Sequence, residues 1–565
     1  MLQDSKEKRT YDAIVIGSGA SGGWAAKELT EKGLKTLVLE RGRMVRHIED
    51  YPTASKAPYE FEFRGAIPVQ QRAGLADWSW KREETVQWAM SEDEQPVIFE
   101  KPFRWWRSYH VGGKSLLWAR ATQRWSDFDF EGPARDDFAV DWPIRYKDLE
   151  PWYAHVEKFA GIAGNRDGLA ELPDSDVMPG FELSCIENYY KEQLAANFDN
   201  RHLIQGRCAH LTDPQEIHKQ QGRNKCQHQA MCNRGCVYGG YFSANASTLP
   251  WAEKTGNLTV RPDAVVESIL YDDAKGKATG VRIIDRNTKE AIEFYAKIIF
   301  VNASTIASNA ILLNSKSSTF SEGIGNENGL MGKFLACHNY RGKGNASYEG
   351  FLDKFNDGRN PGHAYVPRFR NVFKQDTDFL RGYSIGMSGG RGLGSDTSMI
   401  GDQLRDNLLN QKYGVWHMAA WMQGETVPVE DNHIRLSTDQ VDKYGIPQII
   451  LSVEWKENDD KMVADIVEQQ TLMFEKAGFT NIRVEDQHSD PGSDIHEMGG
   501  VRMGHDPKTS LLNSFNQLHA CKNVFVTDGA CMTSTSTQNP TLTFMALTAR
   551  AANHAVEELN RQNLG

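Results

Sequence analysis

The sequence predicts an α/β and α+β protein in which a parallel sheet, assembled from both ends of the chain, joins a part built on a mostly antiparallel sheet. Three observations carry this. A short apolar run near the N-terminus feeds a glycine-rich turn and a helical stretch. A second apolar run near the C-terminus also feeds a helix start. Between them, residues 341–489 contain alternating segments, such as His417 to Met422 and Gln448 to Val453, that read as antiparallel strands.

The N-terminal unit comes first. Asp12-Ala-Ile-Val-Ile16 reads as a buried parallel strand, Ala20 to Lys32 as a helix ended by Gly33, and Lys35 to Glu40 as a second strand. Between strand and helix stand Gly17, Gly19 and Gly22, spaced G-x-G-x-x-G. In that context the spacing predicts a Rossmann-like nucleotide site. Gly17 allows the tight turn, Gly19 lets backbone approach a pyrophosphate, and Gly22 lets helix and strand pack closely. The helix N-terminus offers free N–H groups to phosphate, and the Glu40 carboxylate suits ribose hydroxyls. The motif alone does not separate FAD from NAD.

The C-terminal unit mirrors it. Asn523 to Thr527 reads as a buried strand, Asp528-Gly529 and a polar loop follow, and Thr541 to Leu559 reads as a helix with Pro540 in its first turn. A nucleotide site fed from both ends implies a discontinuous unit.

Bulk composition narrows the partners. The chain has 565 residues, a net charge of −11 and 25% charged residues, and a pI near 5.9. This speaks against nucleic acid as a main partner. No apolar run reaches the length of a membrane span, about 18 residues. The polar start, Met1-Leu-Gln-Asp-Ser-Lys-Glu-Lys-Arg-Thr10, carries neither a secretory core nor a twin-arginine pair. Read alone, the chain is expected in the cytoplasm, with export on a partner's signal as the alternative.

Of the eight cysteines, Cys226, Cys232 and Cys236 fall in one short stretch with spacing C-x5-C-x3-C. Three thiolates so close, with Gly235 allowing a sharp turn, point to a shared metal centre. Zinc with His228 as fourth ligand, an iron–sulfur cluster and reactive or structural thiols are all open on spacing alone.

In order and spacing, the N-terminal unit resembles the glucose–methanol–choline (GMC) oxidoreductases. So do Val111-Gly-Gly-Lys-Ser-Leu-Leu-Trp118, His496-Glu-Met-Gly-Gly-Val-Arg-Met-Gly504, Val526-Thr-Asp-Gly529 and Asn539-Pro-Thr-Leu-Thr543. The resemblance implies the GMC fold, with an FAD-binding part (1–55, 98–125, 225–340 and 490–565) and a substrate part with insertions (56–97, 126–224 and 341–489). It places Gly112, Gly113, Ser115 and Trp118 beside pyrophosphate and isoalloxazine, and Asp528 and Gly529 near the ribityl chain. It adds Ala20, Ser21, Arg41, Val265, Ala303, Asn539 and Thr541 to the cofactor site. Leu117 stands where a similar stretch of pyranose 2-oxidase has a flavin-linked histidine, which implies non-covalent FAD. Asn302-Ala-Ser-Thr305 departs from relatives that carry a glycine in that loop.

Flavin alcohol oxidation moves a hydride to the flavin and a proton to the protein. The resemblance makes His496 the base and Asn539 its partner. Imidazole suits the base role, and an amide can donate to the developing alkoxide without taking the proton. Asn539 could equally be a helix cap before Pro540. His505 and His519 lie off the motif and are expected in surface or core.

The cysteine spacing is similar to that of bacterial FAD-dependent glucose dehydrogenase catalytic subunits. This implies a 3Fe-4S cluster, a dehydrogenase that passes electrons to a cytochrome c, and a small subunit bearing the export signal into the periplasm. Gln227 replaces the extra cysteine that would tie such a subunit. The favoured expectation is a glucoside 3-dehydrogenase. Glucose 1-dehydrogenase, gluconate 2-dehydrogenase and an oxygen-using pyranose oxidase are the alternatives. Roles for Cys185 and Cys208 are not assigned. Trp78, Trp80, Trp88, Trp105 and Trp106 are expected in packing more than sugar stacking. Gly386 to Gly394 is expected as a loop, and Trp416, His417 and Gln423 as possible roof residues over the flavin.

Overall fold

Ala13-Ile-Val-Ile16 offers no polar side chain on either face, so a strand made from it must be covered on both sides. In the computed structural model, which describes residues 9–76, 81–355, 361–393, 398–410 and 412–564, it is the middle strand of a five-stranded sheet and all four residues are buried. The order is Val524–Val526, Ile298–Val301, Ala13–Ile16, Thr36–Leu39, Leu258–Arg261, every pair parallel. The chain ends are joined by strand pairing through Ile298–Val301, where Phe300 and Phe525 stack with centroids 5.0 Å apart. Helices Ala20–Glu31, Tyr146–Ala160 and Thr541–Asn560 pack on one another beside the sheet.

Parallel strands all point their C-terminal ends at one edge, so the loops after them gather there. Gly17–Gly19, Glu40, Asn302–Ser304 and Thr527–Gly529 meet at that edge. Gly17 has φ 95° and Gly22 packs so closely that a Cβ would lie 2.0 Å from the Gly17 carbonyl oxygen. In the loop where relatives carry glycine, Ser304 takes φ 75°, a left-handed conformation that glycine adopts without strain.

A meander of Ala264–Asp272, Lys277–Asp285 and Ala291–Tyr295 flanks this sheet. The hairpin His433–Val441/Pro447–Ser452, extended in parallel by Val97–Phe99, lies over the cavity described below.

The second part is a six-stranded antiparallel sheet ordered Thr480–Asp486, Gly342–Tyr348, Trp416–Gly424, Tyr383–Gly390, Ala364–Val366, Ile204–Gln205. Strand alternation fixes the register of Trp416–Gly424. Trp416, Met418, Ala420 and Met422 are buried in one apolar cluster with Met462, Ile466 and Phe474 of helix Glu457–Lys476. Trp416 therefore belongs to the core and does not roof the flavin. His417, on the opposite face, is exposed and hydrogen-bonds Ser347. Gln423 shares that opposite face at the other end of the strand and is buried.

Gly386–Gly394 corrects the loop expectation. Its first half is inside strand Tyr383–Gly390. A Cβ on Gly386 would lie 2.3 Å from the Trp421 ring, so glycine here makes room for a cross-strand indole. Gly394, Trp78 and Trp80 lie outside the described residues. Trp88 is buried with Val45, Tyr51, Leu116 and Leu117, and Trp105 is buried with Phe103 and Leu335.

Candidate active site

A cavity at the C-terminal edge of the parallel sheet encloses about 2130 Å³ free of protein atoms, its open mouth included. Gly17, Gly19, Ala20 and Ser21 line it from the first turn, with Glu40 and Arg41 after the second strand. Gly113, Ser115, Leu117 and Trp118 line it from the middle segment. Ala303, Asp528, Gly529, Asn539, Thr541 and His496 complete the predicted residues in its wall.

Three predicted cofactor residues are not in the wall. Gly22 serves the helix–strand approach. Gly112 has φ 90°, and a Cβ there would fall 1.6 Å from Asn245 Oδ1. Val265 is packed with Ile284 and Tyr444, while its neighbours Ala264 and Val266 face the cavity. Strand alternation sends the Val265 side chain the other way, so only its backbone remains for a ligand.

The wall fits a dinucleotide. No side chain caps helix Ala20–Glu31 or helix Thr541–Asn560, so first-turn N–H groups are left for a ligand anion. A Cβ on Gly19 would meet nothing within 4 Å, which leaves room for close approach. The Glu40 carboxylate is buried, and burial raises its pKa above the usual carboxylate value. It accepts hydrogen bonds from Ser18 Oγ at 2.5 Å and the Gly42 amide at 2.9 Å. Ser18 Oγ also accepts from the Gly112 amide at 2.9 Å, which ties the turn to the middle segment. Ser18 escaped the sequence reading because only the glycines of the motif carry a recognisable demand. Burial pushes Asp528 up to about 6, and it accepts from Ser308 Oγ and the Ala530 amide.

Gly17→Ala tests the close approach. A Cβ would stand 2.3 Å from the Asn302 carbonyl oxygen at φ 95°, adding strain of about 1–3 kcal/mol. The variant is expected to melt earlier and to purify with much less flavin. Full flavin content with an unchanged melting curve would contradict the geometry.

In the same wall, Asn539 Nδ2 lies 3.3 Å from His496 Nε2. Pro540, not Asn539, is the cap residue of the following helix, which frees the Asn539 amide for this contact. His496 Nδ1 is 2.9 Å from Nδ1 of His338 and 3.3 Å from Asp494 Oδ2. Ile495 between Asp494 and His496 has φ 69°, strained for a β-branched residue. His338 has no sequence signal, because it is 158 positions from His496. Asp494 had one, its place two residues before the histidine. His505 is exposed, and His519 is half-buried against Ser510.

Cys226, Cys232 and Cys236 line one smaller cavity with His210, His228 and Tyr241. Gly235 makes the turn at φ 96°. The Gly240 amide donates to Cys236 Sγ at 3.3 Å, and burial raises the Cys226 thiol pKa. A single zinc with Zn–S of about 2.3 Å needs its sulfurs within about 4.6 Å of one another. Among the described residues, the group whose ligand-type atoms all lie within 4.8 Å is instead His338, Asp494 and His496. The Tyr241 hydroxyl reaches both the Leu116 and Cys232 carbonyls, at 2.8 and 3.1 Å, so this cavity is hydrogen-bonded directly to the segment that lines the larger one. Cys208 is buried, and Cys185 begins helix Cys185–Asn197 away from both cavities.

Residues 12–339 and 428–548 match two family models, each described as GMC oxidoreductase. The chain is 27% identical to 2-methyl-1,2-propanediol dehydrogenase of Mycolicibacterium austroafricanum, covering 96% of this chain and 94% of that one. It is 25% identical to the fructose dehydrogenase large subunit of Gluconobacter japonicus, covering 99% of this chain and all of the other. Among solved structures it resembles a formate oxidase of Aspergillus oryzae RIB40, studied for FAD modification, with TM-score 0.61 and 12% identity over 98% of this chain and 99% of that one; at that identity the likeness speaks for the fold.

Proposed function

The chain belongs to the GMC oxidoreductase family, whose members bind FAD and act on alcohol and sugar CH–OH groups, and from that premise we propose that it is an FAD-dependent sugar dehydrogenase. The single observation that carries this is the His496–Asn539 pair in the wall of the same cavity whose glycine-rich turn and helix starts fit a dinucleotide. FAD is held non-covalently, by the turn at Gly17–Gly22, Glu40, the segment Gly113–Trp118 and Asp528. Leu117 offers no nucleophile for a flavin bond. When bound, FAD supplies the hydride acceptor.

His496 Nε2 takes the hydroxyl proton of the sugar, and Asn539 Nδ2 donates a hydrogen bond to the oxygen losing it. The preferred substrate is a glucoside or pyranose oxidised at C3 to a 3-keto sugar, a choice supported by the sequence resemblance. Cys226, Cys232 and Cys236 would hold an iron–sulfur cluster, 3Fe-4S in type, whose chemistry would be single-electron transfer toward an external acceptor such as a cytochrome c. Support for the cluster is the shared cavity of the three thiols and its hydrogen-bonded link to the flavin-side segment. A small subunit carrying an export signal to the periplasm belongs to the same reading; one of the relatives is itself the large subunit of its enzyme.

The test is a visible and electron-paramagnetic-resonance spectrum of anaerobically purified protein, before and after addition of methyl glucoside, glucose, fructose or gluconate. Flavin bleached by one sugar, with an iron–sulfur signal that changes on reduction, is the expected result, and product analysis then fixes the carbon oxidised. Cys232→Ser is expected to abolish the iron signal and reduction of cytochrome c while flavin bleaching persists. Flavin bleaching without iron, with oxygen consumed at the rate of sugar loss, would instead identify an oxidase.

A further inference from the structure

We propose that His338 and Asp494 are positioning residues that hold His496 in the Nδ1–H tautomer and so leave its Nε2 as the proton acceptor. This rests on His496 being the base.

The assignment follows from which atoms can donate. His338 Nε2 lies 3.0 Å from the Thr535 carbonyl oxygen. A carbonyl only accepts, so Nε2 carries the hydrogen. Burial, with His496 beside it, holds His338 down to about 4, so the ring is neutral near pH 7 and its Nδ1 is a bare acceptor. That atom is 2.9 Å from His496 Nδ1. One of the two must donate, and His338 Nδ1 has nothing to give, so the hydrogen is on His496 Nδ1. Asp494 Oδ2, 3.3 Å from the same nitrogen, is its second acceptor. His496 Nε2 is left with a lone pair, facing the Asn539 amide at 3.3 Å. These shared protons account for the closeness of the three side chains without an ion between them.

Asp494 also has the right charge. Its side chain is 1% exposed, and the His338 backbone amide fixes Oδ2 at 2.9 Å. Burial pushes its carboxyl up, yet the hydrogen bond from His496 brings it below the usual carboxylate value. As the sugar O–H bond breaks and the N–H bond forms at Nε2, the positive charge gained by the ring arises beside this buried carboxylate, where a low dielectric strengthens the attraction. The other ionisable neighbours are Cys337, Tyr340 and Lys343 toward Asp494, the last brought down to about 7 by burial, and Glu425 toward His338. Glu425 is engaged by Arg368 and Arg381, which leaves Asp494 as the carboxylate facing His496.

The variants separate positioning from bulk structure. Asp494→Asn removes the charge at constant shape. His338→Asn keeps an acceptor oxygen in place of Nδ1, and His338→Leu removes it. Each is prepared as holoenzyme, with FAD content and reduction by dithionite as controls. The readouts are anaerobic flavin reduction by the sugar that wild type oxidises fastest, over a pH series, and ¹⁵N-histidine NMR, which needs no substrate. Expected results are a loss of about 10²-fold or more in Asp494→Asn and His338→Leu and less than about 10-fold in His338→Asn. In Asp494→Asn the acid limb of the rate profile moves to lower pH, because the charge favouring the protonated ring is gone. NMR is expected to show His496 protonated at Nδ1 in wild type and His338→Asn, and a tautomer mixture in His338→Leu. An unmoved acid limb, equal losses in both His338 variants, or a wild-type His496 protonated at Nε2 would overturn the proposal. If His496→Ala reduces flavin at the wild-type rate, the base assignment itself fails; a large loss there, with His338 and Asp494 variants unaffected, removes only the positioning pair.

Discussion

Replacing His496 with alanine is expected to slow flavin reduction by sugar about 10³-fold, near the middle of the range for a positioned general base. That corresponds to about 4 kcal/mol of barrier. The reason is local. Among the described residues, His496 is the imidazole in the cavity wall, its Nε2 is paired with the Asn539 amide, and an amide cannot accept the hydroxyl proton. FAD should stay bound, because the groups fitted to phosphate and ribose, Gly17–Ser21, Glu40 and Asp528, are other residues of the wall and are left unchanged. Stopped-flow bleaching of flavin absorbance, with flavin content measured on the same samples, checks both statements. A variant that keeps wild-type rates would remove His496 from the chemistry.

The second large effect concerns stability. Glu425 has a fully buried side chain, accepts a hydrogen bond from Arg368 at 2.7 Å and forms an ion pair with Arg381 Nε at 3.0 Å, both guanidiniums being withdrawn from water. Arg368 continues to Asp129 at 2.9 Å and Arg381 to Asp136 at 2.6 Å. Such a network is favourable only while every charge is matched, and breaking it by removing one partner costs about 3–5 kcal/mol. Glu425→Ala leaves two buried cations facing carboxylates that already serve them only in part. The damage should also reach the active site. Ser536 Oγ donates to Asp129 at 2.8 Å, and the Thr426 amide donates to Thr535 Oγ1 at 3.1 Å. Those two loop residues precede Asn539, and Thr535 supplies the carbonyl beneath His338. Expected results are a markedly lower thermal inactivation temperature and slower flavin reduction in the surviving protein. Glu425→Gln, which keeps shape and one acceptor, should lose less. Equal stability in the alanine variant would show that the network contributes little.

The sequence by itself determined a good deal. A G-x-G-x-x-G turn between an apolar strand and a helix dictates backbone approach and phosphate geometry locally, so Gly17, Gly19, Gly22 and Glu40 were legible from spacing, while Ala20 and Ser21 came from the family resemblance. The matching strand and helix near the C-terminus made the discontinuous parallel sheet legible too. His496 and Asn539 were legible through their motifs, since each sits in a short stretch with its own pattern. Gly386 failed as a loop signal because its reason is an indole on another strand, and Trp416 could not be sorted from Gln423 because alternation gives two faces and does not say which is covered. Only the tertiary structure decided these, and only it brought His338 against His496 and Thr535, and Glu425 between Arg368 and Arg381. Local motifs encode what a backbone turn must do within a few residues. Hydrogen-bond tautomers and buried charge matching depend on which side chains meet after the sheets pack, and such meetings between distant segments leave no spacing in the chain to read.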